Sequence, residues 1–198
     1  MAEQTPSEAA GRTLLVRQAL DLLNDVHPED LSIREVARRA GLSSGAPYHH
    51  FNTKADLLAA CAVLAWTDLC EKLEAGGSGD AAERLTKQVA AYLRFARKNP
   101  GPYQLITSRQ LDADRRSGEI EQLRARAMSG VTASIIAATE PALDPAAAKL
   151  RGIALWSMLH GHLALNVDPA DLAGTTPRSD KAIARLATRM ALLPNDPE

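Results

Sequence analysis

Residues 32–54, SIREVARRAGLSSGAPYHHFNTK, constrain the fold of this chain more than any other stretch. Ser32 stands where an N-cap hydroxyl accepts from the free amides of a first helical turn, and Glu35 three residues on is its capping-box partner. Ile33, Val36, Ala37 and Ala40 then share one helical face, while Arg34, Arg38 and Arg39 fall elsewhere. Gly41 can take the left-handed backbone that closes a helix at low steric cost. Ser43 or Ser44 can cap a second helix, and short glycine turns of this kind join the two helices of a DNA-reading helix-turn-helix. The stretch reads as a DNA-binding module.

The rest of the chain is patterned as helices. One is expected from about Arg12 to Asn24, behind a polar tail over residues 1–10 that contains Pro6. A long helix opens at Lys54 and reaches about Glu74, and further patterns cover about 80–98, 101–110, 118–139, 145–167 and 179–193. Prolines and glycines sit in the breaks, where proline disfavours helix in the residue before it. No period-two alternation is long enough for a strand, and no internal repeat of 20–50 residues is visible. The expected class is all-α. Aromatic residues make up only 4% of the 198, so packing must rely on small aliphatic side chains.

Charge excludes a protein that coats nucleic acid by bulk attraction, since the net charge is −1. Between Arg12 and Lys54 there are six Lys or Arg against five acids, so any DNA contact rests on placement rather than on excess. Cys61 and Cys70 fall on one expected helix about 13 Å apart along its axis, beyond disulfide reach. They read as buried small hydrophobes. The first residues lack the apolar core of a signal peptide, and the apolar run from Leu57 to Trp66 is too short to cross a membrane. A soluble, cytoplasmic protein with no membrane partner is expected.

The ordered run Ala40-Gly41-Leu42-Ser43, Gly45-Ala46-Pro47-Tyr48-His49-His50-Phe51, then Lys54, resembles the TetR family of bacterial transcriptional regulators. Downstream, Trp156 to Gly161 resembles the tryptophan–histidine–glycine signature of one subgroup of TetR C-terminal domains. The resemblance implies an all-helical homodimer, with a helix-turn-helix domain over residues 11–56 and a ligand-binding, dimerising domain over 57–195. The partners implied are a double-stranded DNA operator and a small-molecule effector. The candidate DNA-contacting residues are Ser32, Ser43, Ser44, Gly45, Ala46, Pro47, Tyr48, His49 and Lys54.

If Ser43 caps the recognition helix, Ser44, Gly45 and Ala46 form the first turn, the end that meets base edges. An alanine or a proline ring there can pack on a thymine methyl. By resemblance, Tyr48 and Lys54 hold phosphates, and the amide-rich start of the helix at Thr53-Lys54 suits an anion. His50 and Phe51 are expected in the core of the small domain, and Arg34, Arg38 and Arg39 on a solvated face.

From Leu150 to Val167 a small-residue line through Ala154, Ser157, Gly161 and Ala164 opposes Leu155, Leu159, His162 and Leu163. Such a helix suits a dimer interface on one side and a cavity on the other. Trp66, Phe95, Tyr103, Trp156 and His160 are the side chains available to shape an apolar ligand pocket. His160 and His162 lie about 200° apart on a helix, which defeats metal chelation. Asp112 to Arg116 reads as a solvated turn. No phosphate-cradling loop, zinc-ligand spacing or nucleophile elbow appears, so no cofactor, metal or catalytic residue is expected. The reading is a ligand-responsive repressor. Its rivals are a helical adaptor or regulator without a small-molecule ligand and, last, a small helical enzyme.

Overall fold

The structure, a computed structural model, describes residues 6–76, 79–108, 117–164 and 180–193. The chain divides into two compact units, Met1–Asp68 with Lys98–Leu123 and Leu69–Arg97 with Arg124–Glu198. Among the described residues, eight α-helices run in order and every regular element is helical. They are α1 (Pro6–Leu22), α2 (Ile33–Arg39), α3 (Lys54–Glu74), α4 (Ala81–Lys98), α5 (Pro100–Thr107), α6 (Ser117–Ala137), α7 (Pro145–Ala164) and α8 (Asp180–Ala191). Two short 3₁₀ turns, Pro28–Asp30 and Ala46–His49, flank α2. The all-α class read from the sequence is the class observed.

Helix α1 begins six residues ahead of the expected Arg12, at Pro6. Proline is at home in a first helical turn, where its missing amide proton and fixed φ cost nothing, so it starts this helix instead of interrupting a tail. Residues 1–5 of that expected tail lie outside the described residues, as do Asp112 to Arg116 and Val167.

The core of the first unit joins Leu15, Val16, Ala19, Leu22 and Leu23 of α1 to Val36 and Ala37 of α2, to Phe51, and to Leu57 and Cys61 of α3. Each large apolar side chain so buried stabilises by about 1.5–3 kcal/mol. Cys61 is fully buried with its thiol toward the Val16 carbonyl at 3.7 Å, and burial pushes its pKa up to about 12. Cys70 is buried as well, so both cysteines are the small hydrophobes their spacing suggested.

Helix α5 docks on the end of α1 by backbone contact. A Cβ on Gly101 would stand 1.8 Å from the Leu23 carbonyl oxygen, and the Gly101 amide donates to Asn24 Oδ1 at 3.2 Å. Gln104 Nε2 and His27 Nδ1 meet 3.1 Å apart beside it.

In the second unit, α4 turns Leu85, Gln88, Val89, Tyr92 and Phe95 inward. Helix α7 answers with Ala148, Gly152, Leu155 and Leu159, and α8 with Ala184, Ala187, Thr188 and Ala191. Within one chain, the close approach on α7 is at Gly152. A Cβ on Gly152 would meet Met128 Sδ at 3.2 Å and Thr132 Oγ1 at 3.5 Å, whereas Gly161 has nothing within 4 Å. The expected small-residue line of α7 faces outward, where Leu150 and Ile153 are 68% and 45% exposed.

Replacing Gly101 with alanine forces a side chain into backbone rather than into a movable neighbour. We expect Gly101→Ala to cost at least the ~1–3 kcal/mol of an overpacked contact, read as a fall in the denaturation midpoint. A variant as stable as the parent would contradict the close approach of α5 to α1.

Candidate functional site

Ser32 opens α2 as expected, its Oγ accepting from the Glu35 amide at 3.4 Å. The return half of the capping box gives way to charge. The Glu35 carboxylate takes a forked pair of bonds from Arg38 at 2.7 and 2.6 Å and a third from Arg39 at 3.3 Å. Guanidinium groups three and four residues on form charge-assisted bonds that an exposed amide does not match. The Arg38 hydrogen bond holds the Glu35 carboxyl down at about 2, so this pair survives across neutral pH and is lost only as pH falls through that value. Arg39 also reaches Asp25 at 3.4 Å. Helix α2 then closes on Gly41 at φ +68°, with the Leu42 amide on the Ala37 carbonyl at 2.9 Å and the Gly41 amide on the Arg38 carbonyl at 3.1 Å. These two bonds make a complete Schellman cap.

The expected second helix, capped by Ser43, is not an α-helix. The Ser43 carbonyl accepts from the Ala46 amide at 3.0 Å, the Gly45 carbonyl from Tyr48 at 3.1 Å, and the Pro47 carbonyl from His50 at 3.0 Å and Phe51 at 2.8 Å. No side chain caps the resulting 3₁₀ turn. Pro47 is the physical reason. It has no amide proton, and its ring would crowd the carbonyl four residues back, so the chain takes the tighter turn.

Pro47 also leaves the candidate DNA face, because its side chain is fully buried. Ser43, Ser44, Gly45, Tyr48 and His49 are exposed, Tyr48 at 52%, and Ala46 is half-buried. Phe51 is 2% exposed and lies under Arg12, whose guanidinium is 5.2 Å from the ring centroid. His50 is half-buried, with its Nε2 3.2 Å from where a Cβ on Gly11 would stand. Tyr48 and His49 therefore project outward while Pro47 and Phe51 anchor the turn from within.

The start of α3 was expected to suit an anion, but it carries its own. The Thr53 amide donates to Asp56 Oδ2 at 3.0 Å, and the Asp56 amide donates to Thr53 Oγ1 at 3.1 Å. This is a capping box, and its carboxylate disfavours a phosphate at those amides. The Lys54 ammonium donates to the Glu29 carbonyl. That uses one of its three donors and holds the charge near the turn before α2.

The second unit contains a small apolar cavity that opens to solvent on one side. Leu73, Val89, Val131, Leu155 and Leu159 line it, with Gln88, Tyr92, Gly152 and Trp156. The Trp156 indole N–H donates to the Tyr92 hydroxyl at 2.9 Å, and that hydroxyl lies 2.5 Å from His160 Nδ1. Because the hydroxyl accepts from Trp156, its own proton goes to His160, which assigns the neutral tautomer protonated on Nε2. Burial agrees, lowering the His160 pKa below its ordinary 6.5.

Of the five side chains expected to shape a pocket, Trp156 lines this cavity and His160 joins it through Tyr92. Phe95 is buried on α4 away from the lining, and Trp66 and Tyr103 belong to the other compact unit. Tyr92 and Gln88 went unread in the sequence. Their signal is the spacing Leu85, Gln88, Val89, Tyr92, one apolar stripe in which a glutamine occupies an inward position.

The profile described as "Bacterial regulatory proteins, tetR family" matches residues 15–61, and that described as "Tetracyclin repressor-like, C-terminal domain" matches residues 85–190. The chain belongs to the TetR family. The tetracycline repressor protein class C of Escherichia coli is 47% identical over 51 residues, which are 26% of this chain and 23% of that protein. The match thus spans under a quarter of that relative's length.

Among solved structures, the TetR-family transcriptional regulator PfmR of Thermus thermophilus aligns with a TM-score of 0.69 at 22% identity, covering 90% of this chain and 96% of that one. The fatty acid degradation regulator FadR of Bacillus halodurans aligns at 0.69 with 15% identity, covering 96% and 97%. A protein of unknown function from Rhodococcus sp. RHA1 aligns at 0.74 with 21% identity, covering 91% and 93%. At these identities the structures show the fold alone. This TetR-family chain is a DNA-binding transcriptional regulator, and its family consists of regulators rather than enzymes. Among the described residues, no helix is long and apolar enough to cross a membrane.

The geometry separates two neighbouring glycines. Gly41→Ala should destabilise by about 1–2 kcal/mol, the cost of a left-handed backbone for an L-residue. Gly45→Ala, at φ −87° with nothing within 4 Å of the new Cβ, should be neutral or slightly stabilising in the same denaturant titration. Equal losses in both would contradict the Schellman turn. Tyr48→Ala and Lys54→Ala should each lower the slope of log affinity against log salt by about 0.9, one phosphate contact apiece. Unchanged slopes would take both side chains off the DNA backbone.

Proposed function

We propose that this regulator is a ligand-responsive repressor, released from a palindromic operator when a small hydrophobic effector occupies the cavity. The observation that carries the reading is the apolar cavity of the second unit, walled by Tyr92 and Trp156, in a chain whose family reads DNA. Pockets of this kind bury most of a ligand and orient it with few polar groups. Residues 11–56 act as the DNA-reading domain and 57–195 as the regulatory one. Ser43, Ser44, Gly45, Ala46, Tyr48 and His49 meet the operator, and Lys54 holds a phosphate from the start of α3. Ser32 stands beside them with its hydroxyl engaged as a cap.

The regulator acts as a homodimer. Leu150 and Ile153 on α7 and Leu186 and Met190 on α8 are each at least 45% exposed, large apolar side chains that suit a second copy of the same surface. Two recognition turns so joined read half-sites about 34–36 Å apart. A tenfold change in operator affinity requires only about 1.4 kcal/mol of difference in ligand binding between the DNA-competent and released states. Acting on DNA, the protein belongs in the cytoplasm.

The test is a screen of small apolar compounds for stabilisation of the purified protein, with each hit then titrated into an operator complex. Trp156→Ala should blunt release while leaving operator affinity without ligand nearly intact. Compounds that bind the cavity and never alter operator affinity would leave a constitutive regulator. For the dimer, Leu150→Asp with Met190→Asp should sediment as a monomer at micromolar concentration with its helical content unchanged. A wild type that is itself monomeric there defeats the dimer.

A further inference from the structure

Gln88 is the polar residue of the cavity wall whose hydrogen bonding is incomplete. It is 6% exposed, and its Oε1 accepts no hydrogen bond among the described residues. Its Nε2 lies toward α6, 4.0 Å from where a Cβ on Gly130 would stand. An amide oxygen held dry in this way is uncommon, because buried acceptors are almost always paired. The other polar atoms of the wall are spent on one another. Trp156 gives its single N–H to Tyr92, and Tyr92 gives its proton to His160.

We propose that the cavity takes a neutral, largely apolar molecule that presents one O–H or N–H donor to Gln88 Oε1. The inference rests on the ligand-responsive reading above and specifies the chemistry of that ligand. Leu73, Val89, Val131, Leu155 and Leu159 offer hydrocarbon, and no ionised side chain lines the cavity. A carboxylate, phosphate or ammonium would therefore surrender its hydration with no opposite charge to meet it. A carboxylate would also set an acceptor against an acceptor. Water needs two to four polar partners, more than this wall supplies. A hydroxyl or amide N–H on an apolar body satisfies the lone acceptor and fills the apolar space in one step.

Three probes of matched shape separate the terms: 4-propylphenol, its methyl ether, which lacks the donor, and 4-propylbenzoate, which carries a charge. Binding to the full chain is read by calorimetry and by tryptophan fluorescence, and operator release is read in the same samples. The phenol should bind wild type about tenfold tighter than the ether, the worth of one good hydrogen bond, and the benzoate weakest of the three.

Gln88→Leu should erase the phenol's advantage and leave the ether's affinity unchanged or improved. It should also melt no lower than wild type in the absence of any probe, since it removes an unpaired acceptor. Equal binding of phenol and ether, preference for the benzoate, absence of binding by all three, or a Gln88→Leu protein that melts well below wild type would each overturn the donor requirement. Phenol-selective binding with no loss of operator affinity supports the donor requirement and overturns the ligand-responsive reading. Release by phenol and ether alike supports that reading and overturns the donor requirement.

Discussion

A chain with two tryptophans, three tyrosines and two phenylalanines cannot fill its interior with rings, so its helices must meet through glycine, alanine and small aliphatic groups. Each compact unit turns on one such contact. In the first, Gly101 places the backbone of α5 against the Leu23 carbonyl. In the second, Gly152 admits Met128 and Thr132 to the surface of α7. Interiors built this way are close-packed, and a single added methylene is felt. The few large rings then have positional consequences: Phe51 anchors the recognition turn, while Tyr92 and Trp156 stand in the cavity wall.

The two sites handle polarity in opposite ways. At the DNA face, most polar and charged groups have partners before any ligand arrives. Glu35 and Asp25 take Arg38 and Arg39, Asp56 occupies the start of α3, and Lys54 is held by the Glu29 carbonyl. Ser43, Ser44, Tyr48 and His49 are left outward, which suits a reader that depends on placement rather than bulk attraction. In the cavity, a chain from Trp156 through the Tyr92 hydroxyl to His160 Nδ1 pairs these polar groups with one another, and Gln88 stands apart from it. Helix α3 carries both Lys54 and Leu73, so one continuous element contributes to each site.

Helical periodicity, proline breaks and a glycine turn made the order of the helices readable, and α3 begins and ends at the residues expected. The failures have local causes. Pro6 was expected inside a polar tail and is a helix start, because proline is favoured in a first helical turn. Pro47 looked like a groove contact and is buried, because a proline inside so short a segment shortens it into a 3₁₀ turn and rotates its ring inward. The cavity was harder to read. Aromatic identity pointed to Trp66, Phe95 and Tyr103, yet membership depends on which compact unit and which helix face each side chain occupies, and a sequence does not state the first of these. Gln88 was readable in principle, as a polar residue on an apolar stripe.

The most direct test of a DNA reader built on the Ser43–His49 turn is selection of genomic fragments by the purified full-length protein at low and moderate salt. We expect one enriched palindrome, with half-site centres about 10–10.5 base pairs or a multiple of that apart, and affinity that falls as salt rises. Recovery of no common sequence, or of sites whose affinity ignores salt, would contradict it.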